Sequence, residues 1–154
     1  MPQGFELAHL NVAKMKAPYA DPLLADFVAR IPGVNAVGDA SPGFVWRLVD
    51  GSDEAGPDPF NDPLLLINLS VWTGVEALRA FVYGESHAAV MQARRQWFDA
   101  TGLAPYVLWW VPAGRRPQLA DGKVRLERLR RDGAGPAAFT FARPFPPPAA
   151  ASSP

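Results

Sequence analysis

The sequence predicts an α+β protein in which four antiparallel strands and two helices follow one another as β-α-β-β-α-β. Three observations carry that prediction. Four apolar runs of strand length, "FELAHLNVAK", "GFVWRLVD", "LLLINLSVW" and "YVLWWVPAG", are spread along the chain. Stretches between them repeat apolar residues at helical spacing. Clusters of Gly, Pro, Asp and Asn separate the blocks, as turn chemistry requires.

The first strand covers Phe5 to Lys14. A helix follows, with Asp21 as cap and Pro22 at the first helical position, where a missing N–H costs nothing. Leu24, Phe27, Val28 and Ile31 give its apolar stripe, and Pro32-Gly33 is expected to break or kink it before a last turn, Val34 to Val37. The second strand, Gly43 to Asp50, leads into the acidic loop "GSDEAGPDPFNDP". The third, Leu64 to Trp72, meets its helix at once: Thr73 and Glu76 have the spacing of a capping box. Val75, Leu78, Phe81 and Val82 supply the buried stripe until Gly84, and Ser86 is placed to cap a further helix reaching about Ala100. The fourth strand spans Tyr106 to Gly114. A basic amphipathic helix around Leu119 to Leu129 and a short "FTF" strand complete one domain over residues 1–143. The tail from 144 to 154, rich in Pro and Ala, cannot build a core and is expected to be extended or disordered.

That element order is the split β-α-β arrangement of a ferredoxin-like sheet, with strands one and three adjacent at the centre and helices over one face. An antiparallel sheet wet on its other face should alternate apolar and polar residues. Strands three and four do not: Leu65, Ile67, Leu69 and Val71 oppose Leu64, Leu66 and Trp72, and Val107, Trp109 and Val111 oppose Leu108 and Trp110. Both faces need cover, so a homodimer packed sheet to sheet is expected.

Composition removes several classes of function. Cysteine is absent, which excludes disulfides, zinc thiolates and thiol nucleophiles. Formal charge is zero, without the basic excess of a general nucleic-acid binder. No apolar run reaches the roughly 18 residues of a membrane span, and the N-terminus lacks a secretory pattern. The chain is expected to be soluble and cytoplasmic, with no nucleic-acid or membrane partner. Charge is nevertheless uneven. Seven basic residues (Arg115, Arg116, Lys123, Arg125, Arg128, Arg130, Arg131) lie in the last helix region, against five acids in the loop from Asp50 to Asp62. A solvated helix face opposite an acidic loop explains this, and a phosphate-binding surface is the sharper alternative.

Chemistry is sought where packing explains a residue least. On a helix from Ser86, His87, Val90, Met91, Arg94, Trp97 and Phe98 share one side, so two ionisable groups sit in an apolar stripe and need partners or a cavity. A core histidine bonded to a carbonyl is the packing alternative; in an apolar cleft His87 could act as a general base. Asn68 and Ser70 share a strand face with Trp72, and His9 shares one with Asn11. Amides inside apolar strands need partners, from the protein or from a ligand carbonyl. The two histidines are far apart in the chain, make no metal-ligand spacing, and no phosphate-binding glycine pattern occurs.

The pieces "ASPGFVWRL", "NLSVWTGVEALRAFVYGESH", "RRQWF", "LWWVPAG" and "FTFARPFPPP" together resemble the dimeric α+β-barrel superfamily, in a branch related to antibiotic-biosynthesis monooxygenases. The resemblance implies a small apolar or aromatic ligand and, in cofactor-independent oxygenases of aromatic polyketides, an asparagine four residues before a tryptophan. Asn68 and Trp72 match that spacing. Asn68 would then hold a substrate carbonyl and Trp72 line the pocket, with His87 as base and Arg94 as anion stabiliser. Asn11, Ser70, Phe81, Met91 and Phe98 are the remaining expected pocket residues. No cofactor or metal is expected. Haem-degrading members imply haem as the alternative, through Asn11 and His87, but Phe81-Val82 stands where their helical tryptophan belongs. A non-catalytic dimeric binding module is the third reading.

Overall fold

The computed structural model describes residues 4–148. Strand β1 (Phe5–Met15) is followed by α1 (Ala25–Asp39), β2 (Phe44–Arg47), β3 (Leu65–Trp72), α2 (Val75–Val82), α3 (Glu85–Ala93), the two-residue β4 (Phe98–Asp99), β5 (Tyr106–Pro112) and α4 (Leu119–Asp132). The sheet is antiparallel throughout, in the order β2-β3-β1-β5, with β4 continuing the β5 edge beside Lys14 and Met15. β1 and β3 are thus central neighbours, as the element order predicts. No helix among the described residues is long and apolar enough to cross a membrane.

Register fixes the two faces, because alternate residues of a strand point to opposite sides. Leu7 pairs with Trp72 and Trp110, His9 with Ser70 and Leu108, and Asn11 with Asn68 and Tyr106, so these share one face. α1, α2 and α3 lie over it. Ala8, Leu10, Val12, Leu69, Val107, Trp109 and Val111 form the other face and are buried with Leu119, Leu126 and Leu129 of α4. Gly122 brings α4 down onto the sheet: a side chain there would collide with Leu10. The acidic loop joins the same layer through Ala55 and Phe60, and Ala55 accepts the Leu119 N–H at 2.8 Å. The expectation of helices on one face alone is therefore corrected. The chain's own α4 and loop occupy the face reserved for a second copy, which removes the premise for sheet-to-sheet pairing.

Local signals fare unevenly for identifiable reasons. Asp21 caps as expected, accepting the Leu23 N–H at 2.9 Å, but the turn it starts is a 3-10 turn leading into α1. The break at Pro32-Gly33 does not occur. α1 runs on to Asp39, its final turns packed closely enough on α2 that a side chain at Gly38 would press on the Phe81 ring. No capping box forms at Thr73, whose N–H donates to the Gly43 carbonyl at 2.8 Å and prolongs the strand pairing, so Gly74 becomes the N-cap. The capping box that does form, Gln118 with Asp121, starts α4. Gly84, not Ser86, precedes α3, which stops at Ala93 instead of Ala100 because Phe98 and Asp99 are drawn into pairing with β1.

The "FTF" strand reduces to isolated bridges: Phe139 and Leu108 exchange N–H···O bonds of 2.8 and 2.9 Å, and Thr140 bridges Arg143. Beyond it the chain stays extended but anchored. Trp110 Nε1 donates to the Phe145 carbonyl at 2.8 Å, and the Phe145 ring packs on Phe139. The rest of the expected tail, 149–154, lies outside the described residues.

The basic stretch is largely spent on ordering its surroundings. Arg125 donates to the Ala137 carbonyl, Arg130 twice to Ala104, and Arg131 pairs with Asp132 at 3.1 Å. Lys123 lies 3.7 Å from Glu127, and Arg116 sits over the Trp46 ring.

Candidate functional site

Beneath α1–α3 the apolar packing divides. One cluster gathers Leu7, Trp72, Leu78, Leu108 and Phe139; the other gathers Met15, Leu24, Phe27 and Trp97. Between them β1 and β3 present four polar residues in adjacent cross-strand pairs, His9 with Ser70 and Asn11 with Asn68. A polar interruption in the middle of a sheet face splits its core, because an amide cannot join apolar packing without a hydrogen-bond partner. Asn68 is exposed although it lies near the middle of a central strand, so the helices leave an opening above it. Among the described residues the side chains of His9, Asn11 and Asn68 have no hydrogen-bond partner.

Aromatic side chains wall one end of this patch. Trp72 stacks on Phe81 at 5.3 Å, and Phe81 meets the His87 ring edge-on at 5.4 Å. On the β5 side Tyr106 lies edge-on to His9 at 5.8 Å, and its hydroxyl accepts the Phe141 N–H at 3.0 Å. Ser70 is committed: its Oγ accepts from Trp72 Nε1 at 3.0 Å, which fixes the indole in the core.

The two histidines, far apart in the chain, come within electrostatic reach of each other in the fold. His9 is pushed down to about 3, first by burial and then by the charge of nearby His87. His87 is also lowered, by burial, with the Val82 carbonyl acting in the opposite direction. Both imidazoles are therefore neutral at physiological pH, and charge on one opposes charge on the other. Nδ1 of His87 is buried without a partner. A neutral imidazole carries one donor and one acceptor nitrogen, so the patch offers both kinds of hydrogen bond beside amides that can do the same.

Of the residues expected from sequence, the fold brings together Asn11, Asn68, Ser70, Phe81 and His87. Trp72 is close but packed within the core, 2 % exposed. Arg94 is exposed beyond the end of α3 and donates to the Met91 carbonyl; Met91 is exposed too. The stripe that joined them to His87 ends with the helix at Ala93. Phe98 belongs to the second apolar cluster, edge-on to Phe27 at 5.0 Å. His9 and Tyr106 were missed as site residues. The two-residue period already put His9 beside Asn11, but pairing it with β3, β5 and α3 needs the register.

Two grooves flank α2. One of about 690 Å³ runs between the end of α1 and α2–α3, past Val37, Ala77 and Phe81; one of about 410 Å³ lies between Arg79, Trp110 and Phe145. Neither is lined by Asn68 or His87. Among the described residues no group of three or more His, Asp or Glu side chains is placed to hold a metal.

A family model described as a domain of unknown function (DUF3291) matches residues 6–153. No curated protein matches. Among solved structures the chain is similar to SnoaB, a cofactor-independent oxygenase from Streptomyces nogalater, with 17% identity and a TM-score of 0.47 over 68% of this chain and 90% of that one. NE2512 of Nitrosomonas europaea, of unknown function, gives 14% identity and 0.46 over 72% and 91%. A provisional antibiotic biosynthesis monooxygenase from Chloroflexus aurantiacus gives 18% and 0.46 over 71% and 96%.

Proposed function

The chain belongs to the DUF3291 family, and for this member we propose binding of a small, mainly apolar or aromatic molecule that carries a carbonyl or hydroxyl group. The observation that supports the reading is the unpartnered polar patch of His9, Asn11 and Asn68 between two apolar clusters. The apolar walls would bury the ligand body, and the amides would fix its oxygen, in the usual division of labour in small-molecule sites.

A finer reading is oxygenation without a cofactor. An amide N–H of Asn68 or Asn11 would stabilise negative charge developing on the ligand oxygen, and His87 would accept the proton that leaves. The enolate or phenolate would itself supply electrons to oxygen. Arg94, exposed beyond α3, has no part in this scheme. Aerobic incubation with anthrone-type substrates tests it, with oxygen consumption and product followed for the wild type and Asn68→Ala. Turnover lost in the variant supports oxygenation. Binding without turnover leaves a binding module, and no binding across a broad aromatic panel removes the reading.

Haem fits these residues poorly. An axial ligand must face a porphyrin-sized opening, whereas the unpartnered Nδ1 of His87 is buried. Titration with haem is expected to give no Soret shift that depends on His87. Self-association through the sheet would have to displace α4 and the acidic loop. Light scattering at micromolar concentration decides between a monomer and another mode of pairing.

A further inference from the structure

The charged groups around the patch are as informative as the polar ones within it. On β1, Glu6 and Lys14 point to the opposite face, and Lys14 is paired with Asp62. β3 and β5 carry no ionised side chain at neutral pH. From β2, Arg47 is paired with Asp39 of α1 at 2.8 Å. Arg30 of α1 sits over the Trp97 ring, while Asp26 is exposed. On α2, Arg79 bonds the Phe141 carbonyl, lies over its ring and faces Glu76 at 3.6 Å. Glu85 of α3 is exposed. The cations on these elements are committed to partners of their own; Arg79 alone reaches the patch's rim, where its charge is felt by Tyr106 while Glu76 and the Phe141 carbonyl hold it, and Lys16, Arg95 and Arg143 are exposed. Among the described residues no carboxylate is paired with either imidazole. What remains are two neighbouring imidazoles, two amides and the Tyr106 hydroxyl.

Resting on the reading of this patch as the ligand site, we propose that it selects uncharged ligands offering both a hydrogen-bond donor and an acceptor, and admits a carboxylate only together with one proton, which lodges on the His9–His87 pair. The physical reason is desolvation. An anion moved from water into a site without a fixed cation loses its hydration and gains only neutral dipoles. The histidine pair is the one group there that can become positive, and mutual repulsion limits it to a single proton. That proton comes from solvent and no covalent bond in the ligand changes.

Matched probes separate this from the parent reading: 1-hydroxy-2-naphthamide and 1-hydroxy-2-naphthoate, titrated by calorimetry in buffers of different ionisation enthalpy. The amide is expected to bind with no proton uptake and with affinity flat between about pH 6 and pH 8, a range that spans ordinary histidine titration. The naphthoate is expected to take up about one proton and to weaken about tenfold per pH unit as pH rises. Proton uptake should disappear in the His9→Gln/His87→Gln double variant. If that variant fails to fold, imidazole NMR of the wild type gives the same information, with naphthoate producing imidazolium signals and the amide none. Equal affinity of both probes at about pH 8 without proton uptake overturns the proposal and leaves the site reading intact. If neither probe binds, the site reading fails and the proposal with it.

Discussion

His9 makes stability depend on pH in a way that a single substitution can isolate. Its ring ordinarily titrates at 6.5 and is held at about 3 in the folded protein, so the unfolded chain binds a proton that the native one refuses. The sign follows directly. Above 6.5 neither state is protonated and the full stability is present; as pH falls, protonation favours the unfolded chain progressively until the folded value is reached. At about pH 5 the gap from 6.5 amounts to about 2 kcal/mol, at about 1.4 kcal/mol per unit. His87, also lowered by burial, adds loss in the same direction. The carboxylates held low by their partners, Asp39, Asp62 and Asp132, start from 3.8 and contribute little in this interval. For a chain of this length about 2 kcal/mol corresponds to roughly 4–8 °C in melting temperature. Denaturant and thermal unfolding of the wild type and His9→Gln, at about pH 7.5 and pH 5, measure the effect. The wild type should lose about 2 kcal/mol more than the variant between the two conditions. Equal losses, or an NMR titration placing the His9 ring near 6.5, would refute a half-buried, neutral His9 and the argument about ligand charge built on it.

Three further substitutions probe the same architecture. Ser70→Ala leaves the buried Trp72 N–H without its acceptor and should cost about 1–3 kcal/mol by chemical unfolding. Gly122→Ala drives a methyl group into Leu10. Despite alanine's better helix propensity it should destabilise by about 1–3 kcal/mol, and a stabilised variant would mean that α4 sits farther from the sheet. Asn68→Ala, at an exposed and unpartnered position, should change stability by no more than about 0.5 kcal/mol while weakening ligand binding at least tenfold. A large loss of stability would instead make Asn68 a structural amide.

Much of the candidate site was legible as composition of faces, and little of it as proximity. A period of two places His9 with Asn11, and Asn68 with Ser70 and Trp72, whatever the surroundings. It does not say that Asn11 faces Asn68, since register is a property of two strands and their packing. His87 stands out in the sequence as an ionisable group on an apolar stripe, but Met91 and Arg94 join it there only if the helix is extended past the point where pairing of Phe98 and Asp99 with β1 ends it. Trp72 looked like a pocket wall because an aromatic at the end of a strand is ambiguous. Stacking on Phe81 and the bond to Ser70 make it core.

By itself the sequence determined the strands, the helices, the adjacency of the first and third strands and the presence of polar residues where apolar ones would pack better. These follow from side-chain periodicity and turn chemistry, which act over a few residues. Tertiary structure alone decided that α4 covers the second face of the sheet, that Thr73 gives its N–H to the Gly43 carbonyl where it was expected to cap a helix, and that histidines 78 positions apart influence each other's protonation. Each of those outcomes depends on which distant backbone or side-chain group competes for the same contact, and that competition exists only once the chain is folded.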